Sequence, residues 1–484
     1  MNQVNKNLFS LKDIVKICDV KKVHVSDENK LFDYLRVVCI DKKYENDAEN
    51  LLFFPIYFTD YDLDDGWVIN HIDLRNKIAE IMEKNPNYTF VVEEDMLNSF
   101  DNEKYEYIVV KDILGAIHKL YEYQLNKVNP KVVAVTGSVG KTTSVGLIES
   151  VLAKKYNVLR IYHKRITPLL LKASIINFLT EEVEYVTLEM SIYFKDHVRV
   201  LSNLLRPTIG CFLQLDSSHL HKDGMDRIED LAIYKSYIFK YASLGFYNDQ
   251  DDYIKRISLK DNELYFDNEA LFKSKMEELL SFVDNVTIEE DGFKIDGNFV
   301  KPYLLTELSM LQYALAYRVG KYVGVETQDI IDALNSYVPV ENRITKCNIF
   351  GKEVFFDGDV TTYERMKQLS KNKYDKSILV IRKFGSAENV DRFEKVVEYF
   401  DKFDTVYLFD DIEYLELLKN ESNVKIVNNH DFLSNYDGII FYHYSGYFRD
   451  YEEVKDENLF DIKNDGYKII PYKGEWFLWK RQFF

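Results

Sequence analysis

Residues Val132–Leu152 read VVAVTGSVGKTTSVGLIESVL. VVAV is a short apolar run of the kind that forms a buried strand, and SVGLIESVL has the spacing of an amphipathic helix. Between them stand two glycines, a lysine and two threonines. A loop that joins a strand end to a helix start aims several backbone N–H groups at one point, where the helix N-terminus adds partial positive charge. Glycine lets such a backbone approach an oxyanion closely. Residues Thr136, Gly137, Ser138, Val139, Gly140, Lys141, Thr142 and Thr143 are therefore expected to cradle a triphosphate. Lys141 would reach the β- and γ-phosphates, and the Thr142 hydroxyl would sit on Mg²⁺. The common G-x-x-x-x-G-K-[ST] loop would place glycine at 135, where this chain has Val135; the pattern here is T-G-S-x-G-K-T-T.

Outward from the loop, strand and helix patterns alternate. NVLRIY, the helix around LLLKASIINFL, YVTLEMS and TIGCFLQL follow in turn. That alternation predicts a doubly wound, mostly parallel sheet with helices on both faces. Upstream, LRVVCI, LLFFPIYF, TFVVEE and YIVV predict a smaller α/β unit, and the helix DILGAIHKLYEYQL leads to a boundary at Asn126–Pro130. The short runs ELYF, NVTI and GFKI read as hairpin or edge strands. A second boundary falls at VPVENR, Val338–Arg343. Beyond it EVFFDG, SILVIRKF, TVYLFD, KIVN and GIIFYH predict a further, Rossmann-like α/β unit. The expected fold is α/β in three domains: 1–128, 129–338 and 339–484.

The chain has 484 residues, which suits about three domains. Its formal net charge of −18 disfavours a nucleic-acid partner, because acidic surfaces repel phosphate backbones. The four cysteines, Cys18, Cys39, Cys211 and Cys347, form no CxxC or Cys/His pattern and are expected to be reduced thiols. With no signal-like N-terminal apolar core and no long apolar run, a cytoplasmic protein without membrane insertion is expected.

T-G-[ST]-x-G-K-T-[ST] after VVAV resembles the nucleotide loop of the Mur ligase family, the ATP-dependent amide-bond-forming ligases of peptidoglycan synthesis and their relatives. Four further stretches resemble that family in order and spacing: VTLEMSIYFKDHVRVLSNLLRPTIGCFLQLDSSHL, EDLAIYKSYIF, LSMLQYALAYRVGKYVG and VENRITKCNIFGKEVFFDGDVTTYERM. The similarity covers about Lys131–Asp359, and the D-alanyl-D-alanine-adding subgroup is the one it most resembles.

The resemblance implies ATP, with one or two Mg²⁺ ions, and assigns residues. Glu189 ends a strand at the carboxyl edge of the sheet, where open α/β sheets bind ligands, and would hold Mg²⁺. His219 would help hold a second ion. Lys235 matches a lysine that is carbamylated by CO₂ in the family, which requires a neutral amine of the kind desolvation provides. Carbamylated, it would add an anionic metal ligand. Arg343 and Asp357 would contact ATP from the third domain. Gln312 stands where the family has an asparagine near adenine. Lys141, His219 and Lys235 are the expected catalytic set.

Two departures matter. The family's first-domain Thr-Asp-Ser-Arg element is replaced by VCIDKK around Cys39–Lys43, so recognition of a UDP-muramyl peptide is not supported. In the third domain, FDGDVTTY replaces Asp-Asp-Ser-Tyr-Asn-Ala-Asn-Pro, and GIIFYHYSGYF lacks the usual Lys-Gly-Ser. Three readings follow: a ligase of a different carboxylate acceptor, nucleotide-sugar or small molecule, and an amine in cell-envelope (cell wall) biosynthesis; the standard D-alanyl-D-alanine-adding enzyme with a diverged first domain; and a nucleotide-binding partner protein that forms no amide. A monomer is expected.

Overall fold

In the computed structural model the run VVAV lies inside the strand Lys131–Thr136, third from one edge of a six-stranded sheet. The order is Glu278–Ser281, Leu244–Tyr247, Ile209–Phe212, Lys131–Thr136, Tyr185–Glu189, Val158–Ile161. Every neighbouring pair is parallel. A strand buried on both faces reads as a continuous apolar run rather than an alternating one, and that is why VVAV carries no polar residue. Val133 and Val135 face Leu147, Ile148 and Val151 of the helix Lys141–Leu152, together with the helices Glu307–Tyr322 and Thr327–Asn335. Val132 and Ala134 face the other way, toward the helices Ile113–Val128, Pro168–Phe178 and His197–Leu205.

The structure describes residues 8–37, 49–57, 74–162, 166–216, 220, 225–339, 345–349, 352–357, 376–383, 396–410, 415–418, 422–444, 467–472 and 475–480. Upstream of the central sheet is a five-stranded sheet in the order Val20–His24, Glu106–Val110, Thr89–Glu93, Leu51–Phe53, Tyr34–Arg36. Only its first pair is antiparallel. Its core is continuous with one face of the central sheet. Across that seam the Asn177 side chain accepts from Leu35 N at 2.9 Å and donates to Leu35 O at 3.0 Å, and the Tyr121 hydroxyl donates to Leu204 O at 2.7 Å.

Downstream, a six-stranded sheet runs Thr345–Ile349, Lys352–Asp357, Ile439–Tyr444, Ser377–Lys383, Thr405–Phe409, Val424–Val427. It is parallel except for its first hairpin. Leu379, Ile381, Val406, Leu408 and Phe441 form its core. The acidic stretch after Tyr241 makes two three-stranded antiparallel sheets, Ile257–Lys273 and Val286–Val300. Asp261-Asn262 and Asp267-Asn268 turn the first of them with positive φ at both residues, as a tight hairpin turn requires. Among the described residues no helix is long and apolar enough to cross a membrane.

Candidate functional site

The loop after the central strand is built mainly from backbone. The Thr136 hydroxyl donates to Met190 O at 2.7 Å and ties the strand end to the neighbouring one. Ser138 N donates to Gln214 O at 2.8 Å, and Ser138 Oγ accepts from Asp216 N at 3.1 Å. The exit of the strand Ile209–Phe212 therefore forms the loop's floor. Val139 is buried in the core beneath it. Gly140, at φ +91°, is the residue from which the helix Lys141–Leu152 starts, and no side chain caps that helix. A Cβ at Gly140 would stand 2.8 Å from Gln312 Nε2, Leu213 Cδ2 and Leu308 Cδ1. Glycine is thus required twice over, by conformation and by space. Glycine at the N-cap brings no side chain of its own to the helix N-terminus, and such a terminus suits an anion.

Two amines meet on one carbonyl. Lys141 Nζ donates to Gly137 O at 3.0 Å and to Ser138 O at 2.9 Å, folded back over the loop. Lys235 Nζ, from the helix Ile228–Ser236, donates to the same Gly137 O at 2.8 Å. Lys235 is fully buried. Burial first, and the neighbouring Lys141 second, push its ammonium well below the ordinary lysine value; Asp216 and Glu189 pull the other way. At the end of the adjacent strand Glu189 is buried, and its Oε2 accepts from the Thr142 hydroxyl at 2.6 Å. Gln312 lies against the loop, its amide donating to Gly140 O at 3.2 Å.

The loop residues 136–143, Glu189, Lys235 and Gln312 are thus gathered around one strand end. His219 and Arg343 lie outside the described residues, as does the side chain of Asp357, whose backbone ends the strand Lys352–Asp357. Among the described residues no three His, Cys, Asp or Glu side chains converge as a metal site. The Thr142–Glu189 pair nevertheless suits Mg²⁺, a hard cation that takes oxygen donors and is commonly held by one or two protein ligands plus phosphate oxygens and water.

Three neighbours escape the sequence reading. Asp216 contributes both its backbone N–H and its charge, and it was visible only as part of DSSHL. His197 is fully buried, with Nε2 3.0 Å from Ile166 O and its ring stacked on Phe194. Burial, with a contribution from Lys235, lowers its pKa to about 4. Arg160 sits within NVLRIY and looks there like a solvent-facing residue of a strand; it is buried beside the loop helix. A charged residue inside an otherwise apolar run was the signal for it.

Residues 135–301 match the family model for the Mur ligase middle domain. The UDP-N-acetylmuramoyl-tripeptide–D-alanyl-D-alanine ligase of Borreliella burgdorferi is 25% identical over 201 residues, 41% of this chain. That match spans 40% of the relative's length. MurF from Acinetobacter baumannii superimposes with a TM-score of 0.64 at 14% identity, over 92% of this chain and 96% of its own. MurF from Thermotoga maritima, solved with ADP, gives 0.62 at 17% identity, over 82% and 91%. The middle-domain match begins in the strand that carries the loop, and the α/β fold shared with the MurF structures extends over nearly all of the chain.

Proposed function

We propose that the chain is an ATP-dependent ligase that joins a carboxylate acceptor to an amine through an acyl phosphate. The arrangement that carries this reading is the Thr142–Glu189 pair, 2.6 Å apart, together with Lys141 and Lys235, which meet on the Gly137 carbonyl of the same loop. The units divide at 128/129 and 338/339. The first takes the acceptor, the second ATP, and the third the incoming amine.

The loop N–H groups and the helix N-terminus bind the β- and γ-phosphates of ATP. Lys141 leaves the carbonyls of Gly137 and Ser138 and turns to phosphate oxygens, a stronger partner for an ammonium. The acceptor carboxylate attacks the γ-phosphorus and ADP departs. The amine then attacks the acyl carbon, the amide C–N bond forms, phosphate leaves and the amine gives up a proton. Thr142, Glu189 and His219 are the residues that would hold magnesium. When bound, Mg²⁺ supplies the positive charge that offsets charge building on the transferring phosphoryl group. Lys235, whose burial disfavours the ammonium form, is the lysine poised to take up CO₂; as a carbamate it would join the metal ligands. Gln312 borders the adenine side of the loop. Arg343 and Asp357 reach ATP from the third domain, whose closure excludes water from the acyl phosphate. Because the reaction consumes ATP, we place it in the cytoplasm.

VCIDKK in place of the family's first-domain element favours an acceptor other than the standard muramyl tripeptide, in cell-envelope or related polymer biosynthesis. The name of the Borreliella relative favours the D-alanyl-D-alanine ligase as a second reading. Carboxylate and amine pairs, the muramyl tripeptide with D-alanyl-D-alanine among them, are to be screened for ADP formation, with mass spectrometry of the product. ADP release that needs both partners supports a ligase. ADP release that ignores both makes the chain a nucleotide hydrolase instead.

A further inference from the structure

Arg160 belongs to the edge strand Val158–Ile161, in register with Thr187 of the strand that ends at Glu189. Arginines on edge strands usually send the guanidinium to water and lay only the stem on the protein. Here the side chain is 3% exposed. Nη1 donates to Glu149 Oε2 at 3.2 Å, and Nη2 donates to the Thr142 backbone carbonyl, also at 3.2 Å. Thr142 and Glu149 are seven residues apart on one helix, about two turns. A single planar fork therefore holds that helix at its first turn and again near its end. Gly146 makes room for it: a Cβ there would lie 3.1 Å from Arg160 Nη1 and 2.4 Å from the Tyr337 hydroxyl.

The residue gripped through its carbonyl is the one whose hydroxyl meets Glu189. Without that grip the Thr142 peptide can rotate and carry its hydroxyl away from Glu189. A buried ion pair adds little net stability over well-packed apolar side chains. What the guanidinium offers that an apolar chain does not is a fixed two-point geometry.

We propose that Arg160 is a positioning residue for the nucleotide site: its fork on Glu149 and the Thr142 carbonyl fixes the first turn of the loop helix, and so holds the Thr142 hydroxyl where it serves a metal together with Glu189. This rests on the reading of the loop as a Mg²⁺-nucleotide site. In this role Arg160 acts on the metal site through Thr142.

The test uses the full chain and ADP, titrated calorimetrically with Mg²⁺ in excess and again with a chelator. Arg160→Lys keeps a cation for Glu149 but cannot span both partners. It is expected to lose about tenfold of the Mg²⁺-supported ADP affinity, the scale of one charge-assisted hydrogen bond, and to change metal-free affinity by less than about twofold. In a Thr142→Val background the lysine substitution is expected to add no further loss, because the residue it acts through is already gone. Equal losses with and without metal, full additivity with Thr142→Val, or no loss at all would each overturn the proposal. If Arg160→Lys does not fold, Arg160→Met, which fills the same buried space, is read by the same criteria. If the unaltered protein binds no ADP, the nucleotide reading fails and this proposal with it. Normal ADP binding with an indifferent Arg160→Lys sinks the proposal alone.

Discussion

The contact between Thr142 and Glu189 lends itself to a pair of substitutions with opposite signatures. Both residues are buried, and the hydroxyl donates to the carboxylate at 2.6 Å. Thr142→Val keeps the branched shape and deletes the donor. A hydrogen bond to a charged group is worth about 1.5–3 kcal/mol, and its loss leaves Glu189 buried with one partner fewer. In a unit of roughly 200 residues each kcal/mol moves the melting temperature by about 2–4 °C. The expected drop is about 3–12 °C for the ligand-free protein. Glu189→Gln is the counterpart. Its amide oxygen still accepts from Thr142, so the ligand-free protein should melt closer to the parent. What it lacks is the charge that a divalent cation needs. At ADP a hundred times its dissociation constant, binding adds about 2.7 kcal/mol, or about 5–11 °C, to the unaltered protein in Mg²⁺. Most of that gain should vanish in Glu189→Gln, and turnover should fall by about 10²–10³. Thermal unfolding with and without Mg²⁺-ADP reads both effects. A Thr142→Val protein that melts like the parent, or a Glu189→Gln protein that keeps its full Mg²⁺-ADP gain, would refute the reasoning.

Lys235 predicts a pH dependence. Its folded-state value is lowered from 10.5, chiefly by burial, so between the lowered value and 10.5 the unfolded chain holds a proton that the folded chain does not. Stability therefore rises with pH across that window, by up to about 1.4 kcal/mol per pH unit from this group, and Lys235→Met should flatten the rise in denaturant melts at stepped pH. A slope identical in the two proteins would contradict the placement. Gly140→Ala forces a side chain into positive φ and against Leu213, Leu308 and Gln312. It should cost about 1–3 kcal/mol of stability and most of the nucleotide affinity, read by urea denaturation and ADP titration; an alanine variant that binds ADP normally would argue against a close phosphate cradle.

How much of this could be read in advance varies with the residue. VVAV and the glycines after it were legible because a fully buried parallel strand must be apolar and a tight loop must be glycine-rich. The hairpins after Tyr241 were legible through the short runs ELYF, NVTI and GFKI, which fall on strands of the two small sheets. Two central-sheet strands, Leu244–Tyr247 and Glu278–Ser281, were not: each has four residues, and the latter lies at the sheet edge with a mixed sequence that no periodicity marks. The expected strand over LRVVCI is described only as Tyr34–Arg36. At the site, Lys141 and Glu189 stood out because strand ends and helix starts are fixed by local sequence. Arg160 and His197 did not, because their partners, Glu149, the Thr142 carbonyl and Ile166 O, come from other elements. A charge inside an apolar run says that a partner exists and not which one.

The central claim is that an acceptor carboxylate is activated by phosphorylation at this loop. With a pair found by the screen, the acceptor is to be labelled with ¹⁸O in its carboxylate and the released phosphate analysed by mass spectrometry. An acyl phosphate leaves one acceptor oxygen on the phosphate, so the account predicts label in inorganic phosphate formed in step with the amide. Amide formation with unlabelled phosphate would contradict it.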